Sequence, residues 1–208
     1  INTSGAHAHI EDNTFTNIKR GVFTERALGT IHNNEFDIPT NDLIPTANRG
    51  ITAIFSHGQK ISSNFILNGY KGIEVFSGSN YTHVLENELQ REVGYPRNTG
   101  IEFNGCRYEG TEYNGGIVSL NDITISDEEA SLGVSIINSP FIRVNENSID
   151  YITETGVGDN NAGISIINGL QTTVLWNVVN ATAGYETDPN NTGILDISFN
   201  SFYFCNSM

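Results

Sequence analysis

Glu74 and Glu102 are the side chains of this sequence best placed to do chemistry. Each is the third residue of the same pattern, Gly72-Ile73-Glu74-Val75 and Gly100-Ile101-Glu102-Phe103, 28 residues apart. Along an extended strand alternate residues face opposite sides, so the apolar pair points one way and the glutamate the other. If the two segments are neighbouring strands, the carboxylates lie about 5 Å apart. Like charges stacked this closely are unfavourable, and relief must come from a cation, from a raised pKa on one carboxyl, or from nearby arginines. Two chemistries use such a pair. Retaining glycosidases hold two carboxyl groups at about this separation, on opposite sides of a sugar, and Ca²⁺ takes carboxylate oxygens with less geometric demand. Tyr95 and Arg97 on one side, with Arg107 and Tyr108 on the other, supply stacking surfaces and clamps for a saccharide.

What would bring these residues together is a repeat. The pattern aliphatic-x-x-Asn-x-apolar occurs eight times, beginning at Ile10, Ile31, Ile61, Val84, Val118, Val144, Val174 and Ile197. Its asparagines (Asn13, Asn34, Asn64, Asn87, Asn121, Asn147, Asn177 and Asn200) are 21, 30, 23, 34, 26, 30 and 23 residues apart. Before most copies stands Gly followed by an apolar–variable–apolar alternation, at Gly21, Gly50, Gly72, Gly100, Gly133, Gly163 and Gly193. Short alternating segments with β-branched residues predict strands, and no sustained helical spacing competes with them. A period in this range marks a solenoid: each three-strand coil cannot bury its apolar face alone, and stacking makes a continuous core. The asparagines are expected at a sharp turn, where Asn tolerates left-handed backbone, and in a ladder of amide hydrogen bonds.

The coils resemble the right-handed parallel β-helix repeats of the pectin-lyase-like superfamily, over nearly the whole chain. The resemblance implies an all-β, right-handed parallel β-helix of about eight coils. It implies little about activity, because that fold hosts lyases, hydrolases, epimerases, tailspikes and adhesins. Ser56-His57-Gly58 superficially resembles the Gly-His-Gly of the polygalacturonases, but the Asn-Thr-Asp and Asp-Asp motifs of those enzymes are absent and His57 falls in a turn. The Asp-Pro-His of the epimerases and the Arg-x-Pro-x-x-Arg of the lyases are also missing.

Aligning the coils on the asparagine places the long connections, 37–49, 90–99, 124–132, 150–162 and 180–192, with one further insertion at 105–115, on both flanks of the Gly-Ile strand. Such loops wall a groove. Its floor is the outward column Phe23, Thr52, Glu74, Glu102, Ser135, Ser165 and Leu195, with no Lys or Arg base among them. His7 and His9 alternate as metal ligands can, although only Glu11 and Asp12 lie nearby.

The net charge of −14 argues against nucleic acid and anionic membranes, and disfavours polyanionic sugars unless Ca²⁺ bridges the two. Cys106 and Cys205 are expected about four coils apart, too far for a disulfide. No apolar run reaches the roughly 18 residues of a membrane span. Residues 1–208 read as a single β-helix domain, expected to be a piece of a longer polypeptide whose caps and other domains lie elsewhere. The sequence thus predicts a non-catalytic module of a secreted or cell-surface bacterial protein that binds polysaccharide or a cell-surface glycan. It needs no cofactor, with Ca²⁺ at Glu74 and Glu102 as the metal option. The alternatives are a polysaccharide lyase or glycoside hydrolase using Glu74 and Glu102, and a structural spacer of a large adhesin.

Overall fold

The computed structural model describes residues 1–39, 47–91, 99–106, 115–126, 131–152, 162–169, 171–180, 183–187, 196–198 and 201–203. These form a right-handed parallel β-helix with three sheets of eight strands, each strand hydrogen-bonded to its equivalent one coil away. The first sheet holds the Gly-Ile strands: Asn2–Ser4, Arg20–Glu25, Arg49–Ile54, Lys71–Phe76, Thr99–Asn104, Leu132–Ile137, Ala162–Ile167 and Ala183–Thr187. The second sheet carries the aliphatic residue that opens each repeat, and the third carries the apolar residue that closes it.

Stacking equivalent positions builds the core as columns. Ile51, Ile73, Ile101, Val134 and Ile164 pair in register on the first sheet and are fully buried. Ile31, Ile61, Val84, Val118, Val144 and Val174 do so on the second. Each such side chain contributes roughly 1.5–3 kcal/mol of transfer free energy. The glycine that precedes the first-sheet column is required by close approach. A Cβ on Gly50, Gly72 or Gly100 would lie 2.7 Å from the carbonyl oxygen of the glycine in the next coil.

The asparagine ladder is present, but the left-handed backbone expected at the asparagine belongs to its predecessor. Asp12, Asn33, Ser63, Glu86, Leu120, Glu146 and Trp176 have φ of 57°, 53°, 55°, 58°, 58°, 57° and 54°. Each stands immediately before a ladder asparagine. Its turn exposes the side chain at that position and drives the following amide inward. Each ladder Oδ1 accepts from the backbone N–H and the Nδ2 of the asparagine one coil earlier, as Asn87 does from Asn64 at 3.0 and 2.9 Å. Each Nδ2 also reaches the carbonyl of the residue that opens the preceding repeat, as Asn87 reaches Ile61. The aliphatic residue and the asparagine of the motif are thus two ends of one hydrogen bond between coils. Leucine gains nothing from left-handed backbone, and Leu120 is 50 % exposed there. Leu120→Asn is therefore expected to raise stability by about 1 kcal/mol, read as a higher midpoint in thermal unfolding.

A second ladder, not foreseen from the sequence, runs along the turn after the first sheet. Ala27 N donates to Ser56 Oγ (3.3 Å), Ser56 N to Ser79 Oγ (3.0 Å) and Cys106 N to Ser139 Oγ (3.1 Å). The Ser79 backbone bonds the Cys106 sulfur, so the thiol is one rung of this column. Cys205 lies outside the described residues.

The eighth Gly-Ile strand requires a correction. The sequence pattern placed it at Gly193-Ile194, with Leu195 on the floor, and treated 180–192 as connection. The strand is instead Ala183–Thr187, with Tyr185 in register with Ile164 and Glu186 with Ser165. Residues 193–195 lie outside the described residues.

Candidate functional site

The repeat does bring Glu74 and Glu102 together. They are register partners on adjacent strands of the first sheet, and both are buried although they face outward. Between them lies a cation from the chain itself. Lys71 Nζ donates to Glu74 Oε1 at 2.5 Å and to Glu102 Oε1 at 2.8 Å. Arg49 Nε donates to the other Glu74 oxygen at 2.8 Å, and Asn104 Nδ2 donates to Glu102 Oε1 at 3.2 Å. The expectation of a floor without Lys or Arg is thereby corrected. Arg20, Arg49 and Lys71 stand in register just before their glycines, as an outward column of the same sheet.

The electrostatics follow from this packing. Burial favours the neutral form of Glu74, but the hydrogen bonds from Lys71 and Arg49 and their charges outweigh it, and the Glu74 pKa is lowered. Burial likewise opposes the charge on Lys71, but bonds to Glu102 and Glu74 overcome it, and the Lys71 pKa is raised. Of the three compensations expected for the stacked carboxylates, Glu74 therefore shows ion pairing rather than a raised pKa. A lowered carboxyl pKa stabilises the fold above the ordinary value of 4.5, and that stabilisation is lost as pH falls through the folded value. A raised lysine pKa stabilises below 10.5 and is lost as pH rises through the folded value. The cluster therefore supports the fold across the whole interval between those two values.

Beside the cluster is an open cleft of about 270 Å³ lined by Arg20, Phe23, Arg49, Thr52, Ile54, Glu74 and Phe76. Its floor belongs to the expected column, and its aromatic faces are Phe23 and Phe76, which the sequence reading had not paired. Ile54 and Phe76 are register partners two residues beyond Thr52 and Glu74. One coil beyond Glu102, Ser135 is buried, and its Oγ has no hydrogen-bond partner among the described residues. Tyr95, Arg97, Arg107 and Tyr108, the expected walls, lie outside the described residues. His57 is exposed in a turn, and Trp176 is half-exposed in its left-handed turn.

The arrangement defines a class: a right-handed parallel β-helix whose Gly-Ile sheet carries an ion-paired outer face beside an aromatic cleft. The chain belongs to the family described as periplasmic copper-binding protein (NosD), whose model matches residues 1–107, just over half of the 208 residues. Comparison with curated proteins and with solved structures finds no match.

The family's description raises the question of copper donors. Burial pushes the Cys106 thiol up to about 12, and the sulfur donates to the Val75 carbonyl, so it does not offer a thiolate at neutral pH. His7, His9, Glu11 and His32 do lie on the outer face of the second sheet. There the His9 ring bonds Thr30, Thr30 bonds Glu11 and the His32 ring bonds Ser62. No group of three or more His, Cys, Asp or Glu among the described residues is arranged to hold a metal ion. The described residues therefore do not assemble a copper centre. No helix among the described residues is long and apolar enough to cross a membrane.

Proposed function

We propose that this chain is a non-catalytic, extracytoplasmic β-helix module that binds polysaccharide along its first sheet. The family's description as periplasmic supports a location outside the cytoplasm. The observation that carries the binding reading is the cleft in which Phe23 and Phe76 stand beside Arg20, Arg49 and an ionised Glu74. Aromatic faces combined with a few fixed polar groups are the usual composition of a sugar-sized site. In this reading Tyr95, Arg97, Arg107 and Tyr108 wall the groove, and the cation between the two glutamates is the Lys71 ammonium rather than Ca²⁺.

The pairing weighs against catalysis. A general acid must hold its proton near neutral pH, whereas two cationic side chains keep Glu74 ionised. The test is a glycan array followed by calorimetry on the best hits, with turnover measured on the same glycans. Saturable binding that falls at least tenfold in Phe23→Ala/Phe76→Ala, with no product formed, is the expected outcome. Turnover that disappears in Glu102→Gln would replace this reading with a glycoside hydrolase or lyase. No hit on the array would favour a spacer.

A further inference from the structure

The second sheet presents a face that contrasts with the acidic third sheet. From strand Lys60–Ser62 to strand Thr173–Leu175 its outward residues form two columns. The first is Lys60, His83, Ile117, Arg143 and Thr173, and the second is Ser62, Leu85, Ser119, Asn145 and Leu175. Neither column contains a carboxylate, while the first holds two permanent cations and a histidine. The third sheet is the reverse: Glu35, Asp37, Glu88, Asp122 and Asp150 stand outward there. Burial raises the Asp122 pKa, and so do the neighbouring charges of Asp150 and Glu88. Outward acids thus recur on the third sheet and are missing from these two columns. Glu86 and Glu146 directly follow Leu85 and Asn145 of the second column, and on the next strand Asp196 continues the first column in register with Thr173.

On this face lies a cleft of about 300 Å³, lined by His83, Ile117, Phe141, Arg143, Gln171 and Thr173 and by Gly115 and Gly116. A volume of this size suits one sugar ring. Arg143 is exposed and makes no salt bridge with any described carboxylate. We infer that this cleft is a second subsite that takes a single carboxylate-bearing sugar residue. The Arg143 guanidinium holds the carboxylate with paired N–H donors, the Phe141 ring supplies an apolar face, and the Gln171 amide and Thr173 hydroxyl serve ring hydroxyls. Long polyuronates remain disfavoured by the overall charge. A lone acidic residue meets less of that field, because the charges that lie more than about 8 Å away are screened at physiological salt. The inference rests on the polysaccharide reading and adds the charge class of the ligand and a second place for it.

His83 reports on occupancy. Burial lowers its pKa and the Lys60 charge lowers it further. An anion seated beside Arg143 opposes both, so it raises the midpoint. The experiment is an NMR titration of the full chain, with the His83 ring signals assigned by their loss in His83→Gln. The probes are trigalacturonate, cellotriose and sodium sulfate. Trigalacturonate is expected to shift these signals saturably and raise the midpoint. Cellotriose and sulfate at equal concentration are not, and Arg143→Gln is expected to weaken the trigalacturonate response at least tenfold. The inference is overturned if cellotriose or sulfate reproduces the shift, if Arg143→Gln binds as wild type does, or if His83 does not move while glycans still bind at the Phe23–Phe76 cleft. Absence of glycan binding at both clefts would instead overturn the polysaccharide reading itself.

Discussion

Asn87→Ala is expected to lower stability by about 3–5 kcal/mol, as its buried ladder bonds go unmatched. The substitution removes the acceptor of the Asn64 backbone N–H and of Asn64 Nδ2. It also removes the donor to the carbonyls of Ile61 and Leu85 and to Asn121 Oδ1. All of this lies in a site 1 % exposed to solvent, so water does not replace the lost partners. Each buried polar group left unmatched costs about 1–3 kcal/mol. Asp fits the same space but cannot donate, so Asn87→Asp keeps the bonds from Asn64 and loses those from Nδ2. It is expected to recover little, because it buries a charge. Chemical denaturation with wild-type slope checks both. Equal stability of Asn87→Ala and wild type would mean that the ladder adds nothing beyond packing.

Lys71→Met is the second large effect. It keeps the length of the side chain and removes the one cation among the described residues that touches both Glu74 and Glu102. Two outward but buried carboxylates then face each other at strand spacing, with Arg49 the only described cation left on Glu74. Removing one partner of a buried pair costs about 3–5 kcal/mol, and a cluster at the edge of an open cleft falls toward the lower end. The expected loss at pH 7 is about 2–4 kcal/mol. The double variant Lys71→Met/Glu102→Gln is expected to regain part of it, because one of the stacked charges is gone. The deficit of Lys71→Met should shrink as pH falls below 4.5 and the remaining carboxylates protonate. A deficit that stayed constant with pH would assign the effect to packing of the lysine stem.

Much of this molecule was legible because a solenoid repeats its own test. One Ile-x-x-Asn match means little, but eight in one register fixed the coil, the aliphatic columns and the adjacency of Glu74 and Glu102 across 28 residues. What was missed has physical causes. Arg49 and Lys71 precede their glycines, outside the alternation that defined the floor, whereas the strands begin at them and return both cations to it. The left-handed residue was sought at the asparagine because Asn tolerates that region. Neighbours as different as Asp12, Leu120 and Trp176 showed no common letter to point to the true position. The same holds for the second ladder, where Ala27, Ser56, Ser79, Cys106 and Ser139 share only small size. In the last coil Gly193-Ile194 matched the pattern better than Gly184-Tyr185, yet the ladder of strands ran through the latter. The aromatic pair of the cleft could have been found by extending the outward column two residues along each strand, to Ile54 and Phe76.

The central claim is that the acidic pair on the first sheet is an ion-paired floor of a binding cleft and not acid–base machinery. Its most direct test is the titration of the Glu74 side-chain carboxyl, followed by carbon-13 NMR in the wild-type chain and in Lys71→Met. With Lys71 and Arg49 in place, the midpoint is predicted below 4.5, and it is predicted to rise when Lys71 is replaced. A wild-type midpoint of about 6–7, the range a general acid needs, would contradict the account and return Glu74 to the list of catalytic residues.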